Sequence, residues 1–177
     1  MKKLVLSLAA VACAAVPAMA RAQTASATVI ASATVQASLT AATTHPLKFG
    51  TLAMGASSTL ASSGAGQASL SGLTTAGLGQ IQVSHNSNVG VTAVVPTSLT
   101  NPVTNTTLGF SATCATATSS GGTGTAVGSC ASFSFNAAAP GTVQNTFVLV
   151  GGTVTGNAAS GVGTFTGDVD FTFTATN

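Results

Sequence analysis

The chain has 177 residues, yet it carries only four lysines and arginines and two acidic residues, which gives a formal net charge of +2. So few charges exclude a basic surface for nucleic acid or an anionic membrane, because both kinds of binding depend on clustered Lys and Arg. They also leave few acids, bases and metal ligands, so we predict a protein that is not an enzyme and holds no cofactor.

Residues 1–20 have the three parts of a secretory signal peptide. Two lysines precede an apolar run from Leu4 to Val16, and Ala18-Met19-Ala20 forms an A-x-A cleavage site. Cleavage there makes Arg21 the first mature residue, although a second A-x-A at 20–22 permits cleavage two residues later. Cys13 offers the alternative of a lipoprotein, but the residues before it make a poor lipobox. We therefore predict an exported protein, located from the periplasm to the cell surface or outside the cell, whose mature part has no membrane span.

Residues 21–40 are predicted to contain an N-terminal strand, and residues 41–177 to form the body of the protein. Between Ala27 and Leu39 apolar and polar residues alternate, and this period of two places the apolar side chains on one face of a strand. A break is expected from Ala41 to Pro46. The apolar face needs cover, either from the sheet of its own chain or from that of a neighbour. Its members are Val29, Ala31, Ala33, Val35, Ala37 and Leu39.

The first half of the body contains short alternating runs separated by turn-forming residues. Pro96 ends one of these runs, because proline has no backbone N–H to donate to a sheet. The polar residues 85–88 are typical of a tight turn, so the runs on either side of them are predicted to pair as a hairpin. The predicted strands are Leu47–Leu52, Ala68–Gly72, Gln80–Ser84 and Val89–Val95.

Cys114 and Cys130 are the two cysteines of the predicted mature chain, and an even pair in an exported protein predicts a disulfide. This disulfide would close a loop of small, mostly polar residues, 115–129. Cys114 shares one face of a predicted strand with Leu108, whereas Cys130 has the opposite parity to the phenylalanines at 133 and 135. A disulfide on the core side therefore requires a bulge or an irregular strand end near Cys130.

Two further strands are predicted at the end of the chain. Residues 143–154 carry apolar side chains at both parities, which suits a strand covered on both faces or one that crosses between sheets. From Phe165 to Ala175 the alternation is strict, with threonines and two aspartates on the polar face. Helical periodicity is confined to the signal peptide, so the sequence predicts an all-β fold, an antiparallel two-sheet sandwich.

Four titratable side chains of the body are candidates for chemistry: Asp168, Asp170, His45 and His85. The aspartates lie two apart on one face of a strand and could act as a carboxylate pair, but on the polar face they are better explained as solubilising charges. His45 precedes a proline and His85 begins a turn, so both are expected at the surface. Their spacing is not typical of a metal site.

Three features together resemble bacterial exported pilin-like domains, which include spore-coat-U-like proteins. They are the leading alternating strand, the L-x-F-G motif at Leu47–Gly50, and the ending G-x-x-T-F-T-G-x-V-x-F-T-F-T at Gly161–Thr174. Gly163 also matches a glycine that such pilins carry near the end. Thr176 occupies the penultimate position, where they usually carry an aromatic residue.

The resemblance implies an immunoglobulin-like sandwich that lacks one strand, whose groove is filled by the N-terminal extension of the next subunit. The Ala27–Leu39 face would then be the donor. The implied partners are further copies or related subunits, together with a periplasmic chaperone and an usher. The final strand would flank the acceptor groove through Phe165, Val169, Phe171 and Phe173.

Two hypotheses for function follow. The first is a structural subunit of a surface fibre or coat, in which the N-terminal strand is exchanged between subunits. The second is a self-complete secreted binding module, in which that strand pairs in cis and loop 115–129 contacts a glycan or a surface. The sequence favours the first, because a neutral mature chain rich in Thr, Ser, Ala and Gly suits packing beside copies of itself.

Overall fold

The computed structural model describes residues 32, 36–63 and 76–176. The chain divides into two compact units, residues 1–34 and 35–177, and the strands reported below belong to the second. They form two antiparallel sheets, which confirms the predicted all-β two-sheet sandwich. The strands are β1 (Leu39–His45), β2 (Ser58–Leu60), β3 (Gly79–His85), β4 (Asn88–Val94), β5 (Ser98–Thr100), β6 (Thr107–Ala117), β7 (Thr125–Ala126), β8 (Ser132–Phe135), β9 (Gln144–Thr155) and β10 (Asp170–Thr176), and a 3-10 turn lies at Ala158–Ser160.

The larger sheet has the order β1-β3-β9-β6-β5, with β2 also on β9 and β7 also on β6. Its central strand β9 is buried on both faces, as its sequence predicted, because apolar residues alternate between two cores. Leu149 packs on one side with Leu78 and Ala115. Val148 packs on the other side in the cluster that also holds Val83. The second of these cores lies between the sheets and holds the sandwich together.

The smaller sheet has the order β10-β4-β8. Phe171 and Phe173 of β10 are half-buried and pack with the inter-sheet core, while the threonines between and after them are exposed. The predicted alternation is therefore confirmed for Asp170–Thr176. Phe133 and Phe135 of β8 pack with the same core, which agrees with their shared parity.

The final strand begins at Asp170, so the prediction that it starts at Phe165 was wrong. Asp170 pairs with Val94, the last residue of β4. Two residues further, the same register would place Pro96 opposite Asp168, and proline has no N–H with which to continue the ladder. The preceding chain turns instead towards the larger sheet, where Thr166 forms an isolated bridge to β5.

The predicted hairpin across residues 85–88 was also wrong. β3 pairs with β1 and β9 in the larger sheet, whereas β4 pairs with β10 and β8 in the smaller one. The connection is thus an arch that crosses from one sheet to the other. An Asn-Ser pair at 86–87 lacks the glycine that favours a two-residue hairpin turn. Val83 and Val89 are both fully buried, and alternation alone cannot distinguish an arch from a hairpin.

The beginning of the body differs from the prediction as well. A strand, β1, occupies Leu39–His45, where a break was expected, and its residues 40–44 are exposed on both faces, so they show no alternation. Leu47–Leu52 is not a strand, and only Lys48 forms a bridge there, to Gly77. The predicted strand at Ala68–Gly72 lies outside the described residues.

Candidate functional site

A crevice of about 990 Å³ opens against the inner face of the larger sheet. Phe110, Val150 and Val154 of that sheet form its floor, and Phe49 packs edge-on against Phe110 at a ring distance of 5.8 Å. Its walls are two segments that run without regular strand structure, 46–56 and 161–169. The floor of the crevice is therefore apolar. The two segments that border it belong to no regular strand.

The final segment supplies one wall of this crevice. Phe165, Val169 and Phe171 are half-buried and line it. Phe173, the fourth residue predicted for the acceptor groove, packs instead in the inter-sheet core. The structure thus brings three of the four predicted side chains together at one opening.

The titratable side chains of the described residues gather at the same opening. His45, Lys48, Asp168 and Asp170 line the crevice, and only His85 lies elsewhere. Both aspartates are exposed, as expected of solubilising charges. His45 is half-buried at the end of β1, and its Nδ1 atom is buried without a hydrogen-bond partner among the described residues. Among the described residues, no three His, Cys, Asp or Glu side chains cluster as a metal site would require.

The first two residues of β10, Asp170 and Phe171, line the crevice, and β10 is an edge strand of the smaller sheet. Of the strands that the structure describes, β10 pairs with β4 alone, so the N–H and C=O groups of its other edge have no strand partner. Upstream, Thr166 makes two backbone hydrogen bonds with Thr100, of 2.8 and 2.9 Å. An edge of this kind is a template for an additional strand.

Comparison with family models, with curated proteins and with solved structures finds no match to this chain.

The N-terminal face that was predicted to act as donor lies mostly outside the described residues, which is true of Val29, Ala31, Ala33 and Val35. Ala37 is exposed just before β1. Leu39 begins β1 and packs against the core of its own chain.

Asn86, in the arch, holds the chain where it enters β1. Its Oδ1 accepts a hydrogen bond from the Ser38 backbone at 2.7 Å, its backbone N–H donates to Ser38 O at 3.3 Å, and its Nδ2 donates to Gln36 O at 3.4 Å. Ser38 therefore follows the register of β1 beyond its first pair, Leu39 with His85, and the Asn86 side chain also holds the backbone of Gln36.

Cys114 and Cys130 form the predicted disulfide, with their Cα atoms 5.2 Å apart. Cys114 lies on β6 of the larger sheet, and Cys130 lies just before β8 of the smaller one, so the bond joins the two sheets. The expected irregularity is confirmed, because Cys130 and Ala131 form bends outside β8. Both sulfurs belong to the inter-sheet core.

Loop 115–129 is folded back on its own sheet. Ala115 and Thr116 pair with Ala126 and Thr125, and Gly124 is buried against Ala115 and Leu149, in the core cluster that does not lie between the sheets. A side chain at Gly124 would collide with the Ser62 carbonyl oxygen. Exposed hydroxyl residues lie at the tip of this loop, at 118–120 and 123, and also at Thr125 and Ser129.

His85 is the important residue that the sequence analysis placed wrongly. It is fully buried under the arch, with its ring edge-on to Phe135 at 5.1 Å. Nδ1 lies 2.7 Å from the Ser87 carbonyl oxygen, which can only accept, so Nδ1 carries a proton. In the neutral ring Nε2 then accepts from the Thr146 hydroxyl at 2.9 Å. Its parity with the buried Val83 was the signal that could have placed it inside.

The described residues contain no helix that is long and apolar enough to cross a membrane.

Proposed function

We propose that this chain is a non-enzymatic structural subunit of a bacterial exported fibre or coat, joined to its neighbours by exchange of the N-terminal strand. The observation that carries the proposal is the edge strand β10, whose first two residues line an apolar crevice of about 990 Å³. The crevice offers an incoming strand an apolar floor, and the edge offers it backbone partners.

The proposed occupant is the apolar face at Val29–Ala37 of a second copy. Leu39 is excluded from it, because it already packs in the core of its own chain. Burying Val29 and Val35 would contribute about 3 to 6 kcal/mol, before the alanines are added and before the cost of ordering the segment is subtracted. A ladder of backbone hydrogen bonds would add to this gain and fix the register.

The path of the chain into β1 supports exchange between copies over pairing in cis. The chain is held to Asn86 at Ser38, in line with β1. Between Arg21 and Ser38 it has no Gly, Pro, Asn or Asp, and serine is the one turn-favouring residue type that it contains. A segment that lacks Gly and Pro, and whose last residue before β1 is bonded to Asn86, is suited to reaching a neighbour.

The remaining features are compatible with the proposal. The predicted mature chain has two cations and two carboxylates, so copies would not repel one another through net charge. A buried disulfide suits an exported protein. A periplasmic chaperone and an usher, as the pilin resemblance implies, would protect the crevice until a subunit is added. The competing role of loop 115–129 in binding a surface has less support, because that loop pairs with β6.

The proposal is tested by exporting the chain with its own signal and analysing the mature protein by size-exclusion chromatography and by gels of boiled and unboiled samples. On gels of unboiled samples we expect a ladder of bands from oligomers of increasing size, and boiling should reduce it to the monomer band. Deletion of residues 23–34 should leave a folded monomer, because it spares the contacts of Gln36 and Ser38 with Asn86. As a control, a shuffled 23–34 segment keeps its composition but loses the alternation. A monomeric wild-type protein, or a ladder that survives the deletion, would overturn the proposal.

A further inference from the structure

The chain enters β1 at the end of the sandwich that lies opposite the crevice. Leu39, the first residue of β1, pairs with His85 of the arch, whereas His45, its last residue, lines the crevice. The smaller sheet has the same polarity, because β10 begins at the crevice and ends beside Asn88 of the arch. Followed towards its N-terminus, the chain at the start of β1 therefore runs away from its own crevice.

Chain length then limits which crevice the residues before β1 can enter. Ser38 is bonded to Asn86, and Thr43, the first residue of β1 to line the crevice, lies about 17 Å further along the extended strand. Val35 precedes Ser38 by three residues, so it lies at most about 11 Å from it. Val35 therefore cannot reach the crevice of its own chain while Ser38 stays bonded.

Asn86 fixes the place where the chain enters β1. Its side chain is bonded to the backbone of Ser38 at 2.7 Å and to that of Gln36 at 3.4 Å. Its own backbone carbonyl accepts a hydrogen bond of 2.8 Å from Gly141, which braces the arch against the chain that leads into β9. A segment that is already ordered in this way loses less conformational entropy when it binds a partner.

We propose that Asn86 is a positioning residue for strand exchange. It directs residues 29–35 away from the crevice of their own chain, so that the alternating face enters only the crevice of another copy. It also orders residues 36–38 before that copy binds. This inference rests on the proposed function and names the residue that sets the direction of exchange.

A flexible linker tests the limit of reach. About twenty Gly and Ser residues, inserted between Val35 and Gln36, span about 22 to 27 Å on average, which is more than the distance along β1 to the crevice. The insertion leaves the contacts of Asn86 in place. The matched control has the same linker between Ala22 and Gln23, ahead of the alternating residues.

We expect the first linker variant to fill its own crevice, because a tethered strand acts at a millimolar effective concentration. Its ladder on unboiled gels should fall by at least about tenfold, while the control linker variant should assemble like wild type. The self-filled monomer should also unfold at a higher urea concentration than the variant that lacks residues 23–34, whose crevice stays empty.

Asn86→Ala tests the side chain itself. We expect it to reduce the ladder by about fivefold to tenfold, because residues 36–38 must then be ordered when the strand binds. Asn86→Asp keeps the acceptor for the Ser38 N–H and should recover part of the loss. In the first linker variant, Asn86→Ala should leave the gain in stability over the 23–34 deletion unchanged, which a merely structural role would not predict.

The outcomes separate this inference from the proposed function. A first linker variant that keeps the wild-type ladder, equal losses in both linker variants, or an Asn86→Ala protein that assembles undiminished would overturn the positioning role alone. A wild-type chain that forms no ladder would overturn the proposed function and the positioning role with it.

Discussion

The Nε2 atom of His85 lies 2.9 Å from the hydroxyl oxygen of Thr146, and this contact ties the arch between the two sheets to the central strand of the larger one. His85 is fully buried, and Thr146 lies on β9 next to the doubly covered residues 147–150. A buried ring nitrogen without a partner is costly, because it loses its hydration and gains nothing in return.

Replacing Thr146 by Val should therefore destabilise the fold by about 1 to 3 kcal/mol, since it keeps the shape of the side chain but removes the partner of His85. The measurement is the free energy of unfolding in urea. Thr172→Val on the exposed face of β10 is the control and should change that free energy by less than about 0.5 kcal/mol. Equal effects of the two substitutions would show that the His85 contact contributes nothing.

The disulfide makes a second prediction. Cys114 and Cys130 are 16 residues apart, and a closed loop of this size stabilises by about 3 kcal/mol in the chain-entropy model. Replacing both by Ala should lower the free energy of unfolding by that amount, because the smaller sheet loses its covalent tie to β6. The wild type unfolded in the presence of a reductant serves as the comparison. A variant as stable as the oxidised wild type would contradict the stabilising role of this bond.

Gly151 provides a third prediction, at the place where β2 joins β9. A Cβ atom on Gly151 would collide with the carbonyl oxygen of Leu60. Gly151→Ala should displace β2 and destabilise the protein by at least about 2 kcal/mol. The atom that the new methyl group meets belongs to the backbone of Leu60, so a change of side-chain rotamer cannot relieve the clash. Gly128→Ala is the matched control, since that position has open space around it. Thermal and urea unfolding of the two variants measure the difference.

Side-chain parity was readable from the sequence wherever one face of a strand is buried. The alternation at Phe171–Ala175, the double coverage of β9 and the irregular chain at Cys130 were all predicted in this way. Each depends only on the contrast between buried and exposed positions, which the residues themselves express. Phe165, Val169 and Phe171, which line the crevice, share this parity.

Strand partners were not readable, because pairing depends on residues far apart in the chain. The arch at His85 and the start of β10 at Asp170 both follow from which sheet a neighbouring strand joins. β1 was missed for a different reason: its residues 40–44 are exposed on both faces, so no alternation marks it. The crevice itself arises from the two segments that the sequence had predicted as strands, 47–52 and 165–169.

The last prediction uses the parity of the N-terminal segment to separate strand exchange from non-specific association. Val29→Asp or Val35→Asp would place a carboxylate on the face that enters the crevice, where burial of an unpaired charge costs several kcal/mol. As controls, Thr28→Asp or Thr34→Asp adds the same charge to the opposite face. We expect the first pair of variants to lose the ladder on unboiled gels and the second pair to retain most of it. All four monomers should unfold at the same urea concentration, because the substitutions precede the contacts of Gln36 and Ser38 with Asn86. Loss of assembly irrespective of face would mean that charge alone, rather than a buried strand, controls association.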